Sequence, residues 1–369
     1  MTDYRDAFTP CEDIYLLNHS VGRMPRGTAD YLQQHFFAAW ESGAPEPWPQ
    51  WLEAIDSFRA ALARLFNSEP AHFCPQVNIS SALSKVLGGL PPPADRNVIL
   101  FTENDFPSVG FALQQAARLG FEPRMIAADR DPQQLATWEA ALGPDVHTAL
   151  ITHAHFNSGK LVPVDAVTRL TRARGILSVV DIAQSAGVVP IDLQRWQADV
   201  VLGSCVKWLC GGPGAGFLWI DPARVASIEP LDVGWFSHAA PFEFDIHHFE
   251  YAPDSARFWG GTPSVLPCVV AAHSLDLIYR IGVDMIREHN QQLTQRIVDA
   301  VDPACLRAPA DPALRGGTLV LNLPEQDAVE QRLRSAGVRF DVRPMGLRLS
   351  PHIYNSNKDI DAVIACLQG

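Results

Sequence analysis

Two residues whose types could do chemistry together stand in one stretch of the chain. Asp181 closes the apolar run Ile176 to Val180, and Lys207 follows the uncharged run Val200 to Val206 and precedes Trp208-Leu209-Cys210-Gly211-Gly212. Each run reads as a buried strand, so an acid and an amine are delivered to the ends of neighbouring strands. Open α/β sheets bind ligands in the crevice outside the carboxyl ends of their strands, which makes the pair candidates for one site. An amine in such dry company loses its proton readily and becomes a nucleophile.

Pyridoxal phosphate (PLP) needs this pair. A lysine amine holds its aldehyde as a Schiff base, and a carboxylate beside the ring nitrogen keeps the pyridinium protonated. The same two residues could equally be a loop-capping acid and a solvated lysine, because an α/β fold does not by itself imply a site.

Other positions carry weaker signals. Asn78-Ile79-Ser80-Ser81 precedes the helical run ALSKVLGGL. Two hydroxyls and free amides at a helix start are either a serine cap or an anion site. Phe106 follows the strand Asn97 to Phe101 and precedes Pro107 and Ser108; it is either core or a ring that stacks on a flat ligand. His153-Ala154-His155 would bind a metal only if further ligands converged. GGPGAG after Lys207 has neither the dinucleotide glycine spacing nor a following Walker lysine.

The runs DIAQSAGVVPIDL and VKWLCGGPGAGFLW resemble the class V aminotransferase superfamily of PLP enzymes, and most closely the kynureninases. The resemblance extends from Ile14 to the last helix. It implies an α/β fold of the aspartate aminotransferase type (fold type I), with a mostly parallel central sheet and a smaller C-terminal α+β domain. The divisions expected are an N-terminal segment 1–24, a large PLP-binding domain 25–263 and a small domain 264–369.

Carried onto this sequence, the resemblance makes Lys207 the Schiff-base lysine and Asp181 the pyridinium partner, with Gln184 near the ring hydroxyl. Ser80 and Ser81 would hold the phosphate at their helix start, Phe106 would lie over the ring, and Ser204 would contact the cofactor. Trp235, in Gly234-Trp235-Phe236-Ser237-His238, would reach the phosphate through its indole N–H. Thr262, in RFWGGTP, would complete the partner subunit's phosphate site, which implies a homodimer with shared active sites. In GLRLSPHIYNS, Arg348 would pair bidentately with the substrate α-carboxylate. His19 and Ser20 would line the substrate mouth.

The departures from kynureninases fall where substrates are chosen: Gln184 replaces a His, Val206 a Tyr, Val109 an Asp, and His155-Phe156 an Asn-Tyr. Gln184 is what cysteine desulfurases and some C–S lyases show. A desulfurase relaying sulfur through its own thiol would need a cysteine near the substrate arginine, and none lies between Val338 and Ser356. The expectation is a PLP enzyme acting on an α-amino acid, kynureninase-like, cleaving at the β-carbon. A C–S lyase, an aminotransferase, an epimerase and a silent PLP-fold binding protein remain alternatives.

The chain of 369 residues carries a net charge of -12, which disfavours nucleic-acid and anionic-membrane partners. Its seven cysteines are scattered, and it begins without a basic segment followed by an apolar one. Both features suit a cytoplasmic enzyme with reduced thiols. Helices are expected from Pro25 to about Ser42, Trp51 to Phe66, Ser108 to Leu119, from Asp131, and from Val164 to Arg174. Ser264 is expected to cap the next long helix, after a strand over residues 14–22 and a Pro/Trp-rich loop over 44–49 earlier in the chain.

Overall fold

The computed structural model describes residues 4–43 and 46–369, so residues 44 and 45 of the Pro/Trp-rich loop lie outside the described residues. A seven-stranded sheet organises the chain in the order Phe73–Gln76, Gly216–Ile220, Val200–Ser204, Leu177–Asp181, Val146–Thr152, Val98–Thr102, Glu122–Ile126. The last five run parallel; Gly216–Ile220 pairs antiparallel with both its neighbours. Strands buried on both faces need apolar residues at every position, which explains runs such as Val98-Ile99-Leu100-Phe101. Alternate residues supply two cores. Val98, Leu100, Val180 and Val201 pack with helices Trp48–Phe66 and Val265–Ile281; Ile99, Phe101, Val179 and Leu202 pack with helix Ile79–Gly88.

A separate three-stranded antiparallel sheet, Asp341–Arg343, Gly346–Leu349 and Leu319–Leu321, packs with helices Val283–Ala300, Gln326–Ser335 and Asn357–Gln368 around its own core. Helix Val265–Ile281 contributes to the large core, and the small core begins at Leu293. The expected cut at residue 264 therefore divides one core. Leu16, from the N-terminal segment, belongs to the small core.

Several local expectations are corrected. Residues 14–22 form only a two-residue strand, Ile14–Tyr15, parallel to Val338–Arg339, because the buried polar side chains of Asn18 and His19 take side-chain partners in a turn. The first long helix begins at Thr28 and passes through a π-helical turn, Gln33–Phe37, before ending at Ser42. The helix expected from Asp131 starts at Leu135, since the Asp131 carboxylate is held by Lys160 at 2.9 Å in the preceding turn. Ser264 precedes helix Val265–Ile281, but its side chain caps no amide there. No single helix among the described residues is long and apolar enough to cross a membrane.

The turn that carries Lys207 is clamped from the N-terminal side. Gly22 N–H donates to the Val206 carbonyl at 2.8 Å, and a Cβ at Gly22 would lie 2.2 Å from the Lys207 carbonyl oxygen. That approach requires glycine. Gly22→Ala is expected to cost about 1–3 kcal/mol through overpacking and to lower cofactor occupancy by displacing the lysine turn. Thermal melting and visible absorbance of the purified variant check both effects.

Candidate active site

A cavity of about 190 Å³ opens at the carboxyl ends of the parallel strands and is lined by residues including Ser80, Phe106, Asp181, Gln184, Ser204 and Lys207. Six residues named from the sequence are thus brought to one wall, as the strand register requires. Asp181 ends its strand opposite Thr152 on one side and Leu202 on the other, and the strand of Leu202 runs on to Lys207. Side chains that end adjacent parallel strands share the crevice.

Asp181 is buried, and its carboxyl is pushed up to about 6 by burial, against the Ala183 N–H donating to Oδ1 at 2.8 Å and the charge of Lys207. Lys207 is lowered chiefly by burial, opposed by Asp181 and reinforced by the positive charge of Arg348. Its Nζ stands 5.6 Å from the centre of the Phe106 ring. Phe106 is half-exposed and meets Phe156 edge to face, with centroids 5.2 Å apart. Phe156 and Val109 complete an apolar wall.

The sign of the Asp181 shift makes a prediction. A folded value raised from 3.8 to about 6 means that the native state holds the extra proton between those values. The destabilising cost of ionising Asp181 in the folded state is therefore absent below pH ~4 and complete above pH ~6, about 3 kcal/mol. A cation placed beside it would offset that cost. Asp181→Asn is expected to raise the melting temperature of the cofactor-free protein at pH 8, with the gain shrinking toward pH 5, while weakening PLP binding. Calorimetry of both proteins with and without PLP checks the reversal.

At the start of helix Ile79–Gly88 the cap is Asn78, whose side chain accepts from Ser81 N–H at 2.8 Å. The remaining first-turn amides have no acceptor inside the helix, so the helix start keeps anion-binding capacity on the side where Ser80 faces the cavity. Ser81 lines an adjoining cavity together with Thr262. In the single chain Trp235 lies outside the central cavity, stacked on Phe244 with centroids 5.8 Å apart and set edge-on to Trp48.

Gln184 ties the cavity to the N-terminal segment and the small domain. Gln184 donates from Nε2 to the His19 carbonyl at 3.0 Å, and its Oε1 accepts from the Trp208 indole at 3.4 Å. The His19 ring is buried between Ser350, 2.6 Å from Nδ1, and Asp341, 2.8 Å from Nε2, so its side chain does not line the cavity as the sequence led one to expect. Ser20 is exposed. Arg348 is buried and already paired: Nε and Nη2 donate to Asp341 at 2.8 and 2.5 Å, and Nη1 donates to the Phe156 carbonyl at 3.0 Å.

One participant was missed from sequence, Asp341, although a signal for it exists. DVR and GLRL flank the two residues Pro344 and Met345, and a hairpin through that turn sets Asp341 directly opposite Arg348 as an opposite-charge cross-strand pair. Phe156, marked in the sequence as a departure from kynureninases, lines the cavity. His153 and His155 do not converge on a common point: the first meets Ser185 Oγ at 2.9 Å, the second the Asn104 carbonyl at 3.2 Å. Cys205 and Cys210 are buried with their thiols pushed up by that burial, Cys210 to about 12, so both pack as neutral thiols.

The family model for aminotransferase class-V matches residues 14–320. The chain belongs to the class-V aminotransferase family. Residues 286–367 also match the kynureninase C-terminal domain. Similar proteins include a kynureninase of Deinococcus radiodurans, 29% identical over 96% of this chain and 89% of its own length. A kynureninase of Burkholderia pseudomallei is 30% identical over 90% of this chain and 83% of its own length. Among solved structures, a mutant of C-DES with glycine covalently linked to its PLP cofactor superposes with a TM-score of 0.89 at 21% identity, covering 100% of this chain and 99% of that one. As a class-V enzyme this protein uses PLP.

The residues present fit that group. The cavity offers a nucleophilic amine with a lowered proton affinity, a buried carboxyl for which a pyridinium would supply the missing countercharge, a helix start for the phosphate and an aromatic face. Lys207, Asp181, Ser80 and Phe106 are the residues that would hold it.

Proposed function

We propose that this class-V PLP enzyme is a kynureninase-like hydrolase, cleaving an α-amino acid at the bond beyond its β-carbon. The observation that carries the reading is the match of residues 286–367 to the kynureninase C-terminal domain, because that segment bears Arg348 and so the expected grip on the substrate carboxylate. The apolar wall of Phe106, Phe156 and Val109 suits an aryl side chain.

When bound, PLP supplies the electron sink that makes the α-proton acidic and labilises the β-carbon. The chain's own residues do the rest. Arg348 orients the α-carboxylate, and the Lys207 amine, its proton affinity lowered chiefly by burial, is the base positioned for the α-proton. Asp181 holds positive charge beside the ring nitrogen. Water added to a γ-carbonyl then breaks the Cβ–Cγ bond, leaving alanine and an aryl carboxylate.

A second reading is a C–S lyase, favoured by Gln184 where kynureninases have histidine. A persulfide relay through a protein thiol is disfavoured, since Cys366 lies in the terminal helix and no cysteine accompanies the Arg348 hairpin. Products separate the readings. L-Kynurenine giving anthranilate and alanine supports the hydrolase; inertness toward kynurenine with thiol release from cysteine or cystine overturns it in favour of the lyase; an α-keto acid or an inverted α-carbon would move it to transamination or epimerisation.

The enzyme is further proposed to act as a homodimer. Phe242, Phe244, Ile246 and Phe249 expose an apolar patch beside Trp235, with Ile246 92% exposed in the single chain. Patches of this kind mark protein interfaces, and a second copy there would bring Trp235 and Thr262 toward a shared site.

A further inference from the structure

We infer that Asp341 is the positioning residue that presents Arg348 to the substrate's α-carboxylate and, through His19, joins that grip to Gln184 on the cofactor side. The inference rests on the reading of Arg348 as the carboxylate clamp. It explains an arrangement which otherwise argues against that reading, namely that the arginine is already paired with an acid.

The hydrogen-bond inventory resolves the conflict. A guanidinium has five N–H groups. Asp341 takes one from Nε and one from Nη2, and the Phe156 carbonyl takes one from Nη1. The two left are one on Nη1 and one on Nη2, which can donate together to one carboxylate. Asp341 thus occupies one edge of the guanidinium and leaves the other for substrate.

Charge gives the same answer. Arg343 Nη2 also lies 3.1 Å from Asp341, so two arginines and one acid leave a single positive charge for a single incoming carboxylate. Without Asp341, the Arg348 charge would lose its nearest counter-ion beside Lys207, whose proton affinity Arg348 already lowers.

Asp341 also fixes the N-terminal segment. Its Oδ1 meets His19 Nε2 at 2.8 Å, the His19 carbonyl accepts from Gln184, and Gln184 accepts from Trp208, the neighbour of Lys207. One circuit of side chains and backbone therefore runs from the small domain, through the N-terminal segment, to the turn that carries the Schiff-base lysine.

The test uses the PLP-loaded enzyme and matched acid and amine pairs, L-kynurenine against kynuramine and L-cysteine against cysteamine, titrated by visible absorbance. Wild type is expected to bind each acid better than its amine. In Asp341→Asn the acids are expected to weaken by about 10- to 100-fold, the amines to stay within about twofold, and the Schiff-base band to be retained, from the loss of charge-assisted hydrogen bonds. Asp341→Glu, which keeps the charge but shifts the fork, is expected to fall between the two and covers the case in which the asparagine variant fails to fold.

If Arg348→Lys loses the preference for acids and both Asp341 variants keep it, the positioning role is overturned while the clamp stands. If Arg348→Lys keeps the preference, or wild type has none, the clamp reading falls and the positioning role with it.

Discussion

Replacing Lys207 by alanine is expected to abolish the visible Schiff-base band and to lower turnover by at least ~10³-fold, since on the proposed reading one side chain supplies both the covalent anchor and the base for the α-proton. Lys207→Arg separates the two properties that alanine removes together. It keeps a positive charge next to Asp181 but offers no neutral nitrogen nucleophile, so the band is expected to be absent there too. Absorbance after added PLP, with product assay, measures both. A band persisting in either variant would mean that another amine holds the cofactor and would remove Lys207 from the centre of the site.

Truncating Arg348 to alanine is expected to produce the second large effect, of a different kind. The loss should fall on substrate affinity, with KM for the amino acid raised by about 10²-fold or more, as for removal of one partner of a buried charge pair. The Schiff-base band should stay in place, because the residues lining the cavity around Lys207 do not include Arg348. The variant also removes one partner of the Asp341 carboxylate, which His19 and Arg348 hold well below the usual carboxylate range. Arg348→Lys restores charge without the planar fork and is expected to recover little of the affinity. Steady-state kinetics on the holoenzyme, with binding titrations as a check on KM, distinguish this pattern from a general loss of folding.

The two substitutions probe opposite ends of one structure. Asp181 ends one strand and Lys207 lies in the turn after the adjacent parallel strand, in a sheet whose central residues are buried. Arg348 sits on a hairpin of the small domain and reaches the site through Asp341, Phe156 and the N-terminal segment. On the proposed reading, catalytic groups beside the sheet and a substrate grip on the smaller domain divide chemistry from recognition. The departures from kynureninase also bear on recognition: Gln184 is spent on His19 and Trp208, and Val109 and Phe156 make an apolar wall.

What the sequence by itself determined was local and periodic. Runs of apolar residues marked the buried strands, and the positions of Asp181 and Lys207 at the ends of two of them followed, because a parallel strand buried on both faces leaves its chemistry to its carboxyl end. The helix start at Asn78 and Phe106 before its proline were equally legible as candidates, although which side chain caps the helix was not: asparagine reaches the amide of Ser81 and leaves Ser80 to the cavity. Only the tertiary structure decided the partnerships across long separations. His19 meets Asp341 and Gly22 packs on Lys207 because a two-residue strand pairs the N-terminal segment with the small domain, and no periodicity in residues 14–22 announces that pairing. Arg348, which stands between two leucines in the sequence, is buried because its hairpin partner is an acid and its guanidinium reaches the Phe156 carbonyl of the large domain. Strand identity is set by the apolar pattern along a few residues, whereas the environment of a charge is set by whatever the fold brings against it, and that information is distributed over the whole chain.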